Sequence, residues 1–313
     1  MLRQELMQQS TLELAVAVVP RARPRLIDTF RAYLSLTKPR IISLLLVTTV
    51  PAMMVAEHGM PSLWLILLTL VGGTLAAAGA NTINCYFDRD IDSLMARTRK
   101  RPLPTGAISP EGALLFGVAL GCAAFTILAI GVNLLSAVLA LAALAFYVLV
   151  YTVWLKRSSA QNIVIGGAAG AMPPLVGWAA ARGSLDWPAL VLFGIIFLWT
   201  PPHFWALALR YRSDYAKAGV PMLPVVRGEA ETNRQIVLYS VILVAVSLAL
   251  VPVAGMGWFY LGSASVLGGG FLWLAVRQWR WSRPDTSMAL FSYSLLYLAL
   301  LYVAMGADQF VAR

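Results

Sequence analysis

The stretch from Asn81 to Arg101 gathers three aspartates within five residues, Asp88, Asp90 and Asp92, in a chain with only 14 acidic residues among 313. It follows directly on an apolar run. If the helix that begins near Ser62 continues through it, a turn of about 100° per residue sets Asn84, Asp88 and Asp92 at roughly 0°, 40° and 80° around the axis, with Asn81 at roughly 60°. All four then share one face, and Asp90 points away. Carboxylates at a membrane boundary are costly without a positive partner, and oxygen-only ligands suit a hard divalent cation such as Mg²⁺. Magnesium in turn carries phosphate oxygens, and the basic run Arg97, Arg99, Lys100, Arg101 is close enough in sequence to fold back onto the remaining anionic oxygens. The spacing reads as a magnesium-diphosphate site, in preference to a solvated helix end whose acids pair with Arg89. Cys85, a lone thiol within the stretch, reads as packing and not as a metal ligand.

The elements that must position this motif are membrane helices. Hydrophobic residues make up 59% of the chain and charged ones 12%, with a mean hydropathy of +0.75, which excludes a soluble domain. The net charge of +10 marks sidedness in such a chain and not a nucleic-acid partner. Nine spans are expected, at 41–57, 62–85, 109–129, 132–152, 161–181, 188–209, 234–253, 257–277 and 287–306. With the N-terminus cytoplasmic and the C-terminus outside, 22 of the 24 Lys and Arg fall on the inner side, leaving only Arg182 and Arg313 opposite. Residues 1–38 form a cytoplasmic segment, and 39–313 the intramembrane domain. The apolar run Leu14 to Val19 is too short for a signal peptide, and the acids Glu5, Glu13 and Asp28 argue against a mitochondrial leader. Ile27, Phe30, Tyr33 and Leu34 recur at helical spacing and predict a short helix lying on the membrane surface. The two cysteines, Cys85 and Cys122, form no CxxC and no disulfide framework.

Glycine and proline within the spans predict close packing and breaks, as at Gly72, Gly73 and Gly79 in span two and at Gly166 to Pro174 in span five. Spans two and six run in the same direction, so a second half-site is expected at the same membrane face. It comprises Arg210, Tyr211, Arg212, Asp214, Tyr215 and Lys217, closed by Pro221-Met-Leu-Pro224. Before it lies His203, behind the diproline Pro201-Pro202. Its ring either bonds a carbonyl freed by the prolines or serves as a haem-iron ligand or general base. His58 falls in a short outer turn.

These residues resemble a known family. Asn84-x3-Asp88-x3-Asp92 followed by Arg97-Thr-x-x-Arg101-Pro-Leu-Pro, on the second of nine spans, is similar to the UbiA superfamily of intramembrane prenyltransferases. Asn84-Cys-Tyr-Phe-Asp-Arg-Asp-Ile-Asp92, Thr37-Lys38-Pro39-Arg40, Pro201-Pro-His-Phe-Trp205 and Asp214-Tyr-Ala-Lys217-Ala-Gly-Val-Pro-Met-Leu-Pro224 resemble the branch whose acceptor is haem B. The resemblance covers nearly the whole chain after residue 30. It implies an all-α fold of nine transmembrane helices around a central cavity. It also implies transfer of a farnesyl group from farnesyl diphosphate to the 2-vinyl group of haem B, with water addition, giving haem O. Asn84, Asp88 and Asp92 would hold Mg²⁺, while Arg97, Arg101 and Lys217 would bind the phosphates. Lys38, Arg40, Arg212, His203, Tyr211 and Tyr215 would complete the substrate contacts, and Asp214 the catalytic set. Tyr211 and Tyr215 stand where most of the superfamily carries a second Asp-x3-Asp. The acid-bearing leader favours a bacterial inner membrane over a mitochondrial one as the setting, and a haem A synthase or terminal-oxidase assembly is a candidate partner beside the lipid bilayer. Two rival readings are a prenyltransferase with an aromatic, quinone-precursor acceptor and, from another class, a transporter with intramembrane carboxylates.

Overall fold

The computed structural model describes residues 25–311, which include no strand and nine helices long and apolar enough to cross a membrane. They run Pro39–Glu57, Leu63–Phe87, Pro110–Gly131, Leu134–Ser158, Asn162–Arg182, Trp187–Arg210, Gly228–Ala254, Trp258–Trp281 and Pro284–Val311. Arg21, Arg23, the run Leu14 to Val19 and Arg313 lie outside the described residues. Local chemistry starts several of the spans. Ser62, Ser109 and Asn133 each accept a backbone N–H from the first turn that follows, at 3.2, 3.1 and 2.8 Å, and Pro110 occupies a first-turn position where its missing N–H costs nothing. The exterior is apolar, with Leu115, Ile130 and Val266 more than two-thirds exposed, as a lipid-facing surface requires.

Glycines let the spans approach closely. A Cβ on Gly79 would lie 2.7 Å from the Gly117 carbonyl oxygen, and one on Gly117 would lie 2.7 Å from Ile83 Cγ1, so spans two and three meet backbone to backbone. Span five breaks at Ala171, just before Pro173 and Pro174, which is the predicted kink. Span six stays helical through Pro201 and Pro202. The last five residues of span four's apolar stretch and those before them, Phe146–Leu155, wind as a π-helix.

Polar staples tie the far half together. Tyr302 donates to the Leu192 carbonyl at 2.9 Å and Tyr260 to that of Ser247 at 2.8 Å. Asp308, buried near the end of span nine, accepts the Gly257 and Tyr260 N–H groups at 2.6 and 2.9 Å and so caps the start of span eight from another helix.

The surface helix spans Leu26–Thr37, with Leu26, Ile27, Phe30 and Leu34 exposed along one side. Tyr33 does not share that side. Its ring packs edge-on against Phe116 at 5.0 Å, because the helix lies against spans two and three and needs an inward anchor.

Two substitutions separate packing from propensity. Gly79→Leu drives a side chain into a backbone oxygen that cannot withdraw, and should cost at least about 3 kcal/mol or abolish folding. Gly73→Ala, facing open space, should be neutral or stabilise by up to about 1 kcal/mol. Thermal unfolding followed by size-exclusion chromatography checks both.

Candidate active site

Span two ends at Phe87, and the short helix Arg89–Leu94 follows after a single break at Asp88. The Asp88 N–H still donates to the Asn84 carbonyl at 2.9 Å and that of Asp92 to the Asp88 carbonyl at 2.7 Å, so the i, i+4 register survives the break. Asn84, Asp88 and Asp92 are all buried, with Asp88 fully so. Asp90 points away, where Arg157 grips both of its oxygens at 2.7 Å and holds its carboxyl down at about 2.

All but one of the buried polar atoms on this face are paired. Asn84 Nδ2 donates to Asp88 Oδ2 at 2.7 Å and to Thr152 Oγ1 at 3.0 Å, while its Oδ1 accepts from Lys38 Nζ at 2.7 Å. Lys156 donates to the same Asp88 Oδ2. Arg101 Nη1 contacts both Asp92 oxygens, at 2.9 and 2.7 Å, so the basic loop does fold back. Lys38 reaches inward from a left-handed turn with φ of 55° between the surface helix and span one, and burial pushes its ammonium below the ordinary lysine range. The carbonyl before it, on Thr37, accepts from Asn81 Nδ2 at 3.0 Å. Asn81 therefore fixes the Lys38 turn and is not turned to the carboxylates. Cys85 Sγ contacts the Leu36 carbonyl at 3.9 Å and packs against Leu36 and Leu103, as a structural thiol does.

Lys38, Lys156 and Arg101 thus surround two carboxylates, a net positive cradle. One atom in it is unmatched: Asp88 Oδ1 is buried without any hydrogen-bond partner. Among the described residues no three His, Cys, Asp or Glu side chains converge closely enough to hold a metal alone. The donor set of one amide oxygen and two carboxylates, one of whose oxygens has no partner, fits a hard cation that brings anionic oxygens with it.

The second half-site joins the first through a small apolar cluster in which Ile91 and Met95 pack with Tyr215, Val220 and Met222, with Tyr151 and Tyr211 on its edge. Arg97 lies 5.9 Å from the Tyr211 ring centre and beside the Tyr215 hydroxyl. Burial pushes that hydroxyl up against the pull of Arg97, which keeps it a neutral donor. Other candidates stay at the periphery. Arg212 is exposed and pairs with Glu229 at 3.4 Å, Lys217 and Arg40 are exposed, and Asp214 is half-buried.

His203 is buried with Nδ1 2.7 Å from Ser294 Oγ, its ring stacked between Trp199 and Phe291 with centroids 4.2 and 4.6 Å away. Its partner is a hydroxyl on span nine and not a carbonyl freed by the diproline.

Sequence reasoning missed Thr152 and Lys156, the span-four residues that read Asn84 and Asp88. Both contacts join residues 68 apart, and in the sequence Lys156 counts only as one of the inner-side charges.

The model of the UbiA prenyltransferase family matches residues 45–301. The chain belongs to this family. Protoheme IX farnesyltransferase of Gloeobacter violaceus is 55% identical over 307 residues, covering 97% of this chain and 98% of that one. The protein of the same description from Roseiflexus sp. is 55% identical over 300 residues, and the alignment spans only 56% of its length. UbiA-family folds are also seen in solved structures. The structure described for digeranylgeranylglyceryl phosphate synthase aligns with a TM-score of 0.75 at 18% identity over 90% of this chain and 99% of that one. A UbiA homolog from Archaeoglobus fulgidus bound to DMAPP and Mg²⁺ aligns with a TM-score of 0.59 at 19% identity over 87% and 98%.

Lys156→Met strands the buried Asp88 carboxylate and should destabilise the protein by about 3–5 kcal/mol. Adding Asp88→Asn should recover most of that loss. Thermal unfolding of the two single variants and the double variant measures the coupling.

Proposed function

We propose that this chain transfers a farnesyl group from farnesyl diphosphate to the 2-vinyl group of haem B, with addition of water, giving haem O. The observation that carries the reading is the buried Asn84–Asp88–Asp92 face ringed by Lys38, Lys156 and Arg101, in a chain 55% identical over nearly its full length to a protoheme IX farnesyltransferase. Lys38, Arg101 and Lys156 supply the positive charge that a diphosphate needs, with Arg97 nearby. Asn84, Asp88 and Asp92 would hold Mg²⁺, which when bound draws negative charge from the leaving diphosphate and weakens its bond to the farnesyl carbon. This use of Mg²⁺ is consistent with the Archaeoglobus homolog solved with that ion and a prenyl diphosphate.

The bond from farnesyl C1 to the diphosphate oxygen breaks and one from C1 to the terminal vinyl carbon forms. Water then adds to the neighbouring carbon and releases a proton. Until that point water has to be excluded, and the stacked Tyr147 and Tyr151 rings at 5.3 Å beside the site offer π-faces to an allylic cation. Because Ser294 occupies His203 Nδ1, any contact with haem iron or a propionate falls to Nε2. Tyr211 and Tyr215 would bound the diphosphate from the second half-site, with Asp214, Arg212, Lys217 and Arg40 at its rim. Placement of the carboxylates at the end of span two, away from mid-span, favours this over a transporter. The aromatic, histidine-bearing wall of span six favours haem over a quinone precursor as acceptor.

The multi-pass chain would sit in a bacterial inner membrane with the site facing the cytoplasm, where a haem A synthase or oxidase assembly could take the product. Residues 39–313 would form the catalytic domain, and the segment before it would contribute Lys38.

Membranes containing the chain, supplied with haem B, farnesyl diphosphate and Mg²⁺, should yield a haem heavier by one farnesyl and one hydroxyl, separable by chromatography and mass. Asp88→Ala should reduce it by at least about 10²-fold. Consumption of farnesyl diphosphate with aromatic acids and not with haem would move the acceptor to the quinone-precursor reading.

A further inference from the structure

A second polar site lies on the membrane face where Asp92 emerges but on other helices, between the end of span eight and the start of span nine. A pocket of about 350 Å³ there is lined by Trp273, Arg277, Trp281, Arg283, Asp285 and Thr286, a volume within the range of ligand sites. Trp273, Arg277 and Trp281 follow one another at i, i+4 and i+8, hence on one face of span eight. The Arg277 guanidinium lies 5.6 and 5.9 Å from the two indole rings, within cation–π reach of both. Both indoles are more than half exposed, 63% and 55%, at the height of the span's end, where tryptophan sits among lipid headgroups.

The charges of this pocket are unmatched. Arg277 has no carboxylate within 4.0 Å, and among the described arginines without one it alone is half-buried, the others, Arg280 and Arg283 included, being exposed. Asp285 shares the pocket and is in no ion pair with these arginines either. Arg277 is half-buried, so its charge costs more unpaired than a fully solvated one. Two guanidiniums and one carboxylate around a single cleft complement a zwitterion with a phosphodiester at one end and an amine at the other. The flanking exposed indoles demand acyl chains beside it, which a soluble phosphate lacks.

We infer that this pocket binds the headgroup of a phosphoethanolamine phospholipid, with its phosphate on Arg277 and Arg283 and its ammonium on Asp285. The site is independent of prenyl transfer and of the Asp88 cradle.

Native mass spectrometry of the protein purified with equal amounts of phosphatidylethanolamine, phosphatidylglycerol and phosphatidylcholine tests it. Wild type should retain phosphatidylethanolamine preferentially, and Arg277→Gln and Arg283→Gln should each cut retention by about fivefold. Asp285→Asn should keep a bound phospholipid but lose the preference over phosphatidylglycerol. Arg277→Lys should fall between wild type and Arg277→Gln, since it keeps the charge without the planar stacking. Equal retention of the three lipids by wild type, or retention unaffected by the arginine substitutions, overturns the proposal. So does displacement of the lipid by excess inorganic phosphate, which would make this a soluble-phosphate site. Thermal unfolding accompanies each variant, and if Arg277→Gln does not fold, Arg283→Gln in the exposed turn decides the outcome.

Discussion

A carboxylate with no exposure to solvent is the constraint on which the architecture depends. Asp88 sits at the end of a transmembrane helix, fully buried, where an uncompensated charge would cost several kcal/mol. Three elements converge to make it tolerable. Span two supplies Asn84 one turn earlier, span four brings Lys156 across, and the turn before span one delivers Lys38 to Asn84. Remove any of these and the burial that makes the site apolar to water also makes it unstable. The unpartnered Oδ1 is the remainder of that balance, and it is the atom on which a ligand-borne cation would complete the compensation.

Close helix packing serves the same end. Gly79 and Gly117 bring spans two and three into backbone contact ahead of Asn84. The π-helical stretch of span four precedes Lys156, and within it Thr152 donates to the carbonyl of Tyr147, five residues back, at 2.8 Å while accepting from Asn84. Such wider turns are frequent at functional sites because they re-aim side chains without breaking the helix. On the other side, Tyr215 packs on Ile91 and Met95, so the two segments close against each other by apolar contact, with Asp88 and Asp92 buried and Arg212 and Lys217 exposed.

Most of the fold was legible because hydropathy and the sidedness of Lys and Arg are strong, long-range signals. The nine spans fall within about five residues of their expected bounds, apart from the end of span four, which runs on to Ser158, and the start of span seven, which begins earlier at Gly228 because its first turn is acidic and polar. The Asn84, Asp88 and Asp92 face was legible because i, i+4 spacing is a property of any helix. What escaped depends on which helices touch. Asn81 shares the face by angle, yet it serves Thr37, because the surface helix crosses span two at that height. Lys156 carries no mark distinguishing a site lysine from a topology charge, and the π-helix has no composition of its own. The pairing of His203 with Ser294 links residues 91 apart, beyond the reach of local pattern.

The most direct test of the central claim is a structure of the protein with Mg²⁺ and a non-hydrolysable farnesyl thiodiphosphate. The account predicts the cation on the Asn84–Asp88–Asp92 face and the diphosphate against Lys38, Arg101 and Lys156. A diphosphate bound elsewhere, with Asp88 still held only by Asn84 and Lys156, would contradict it.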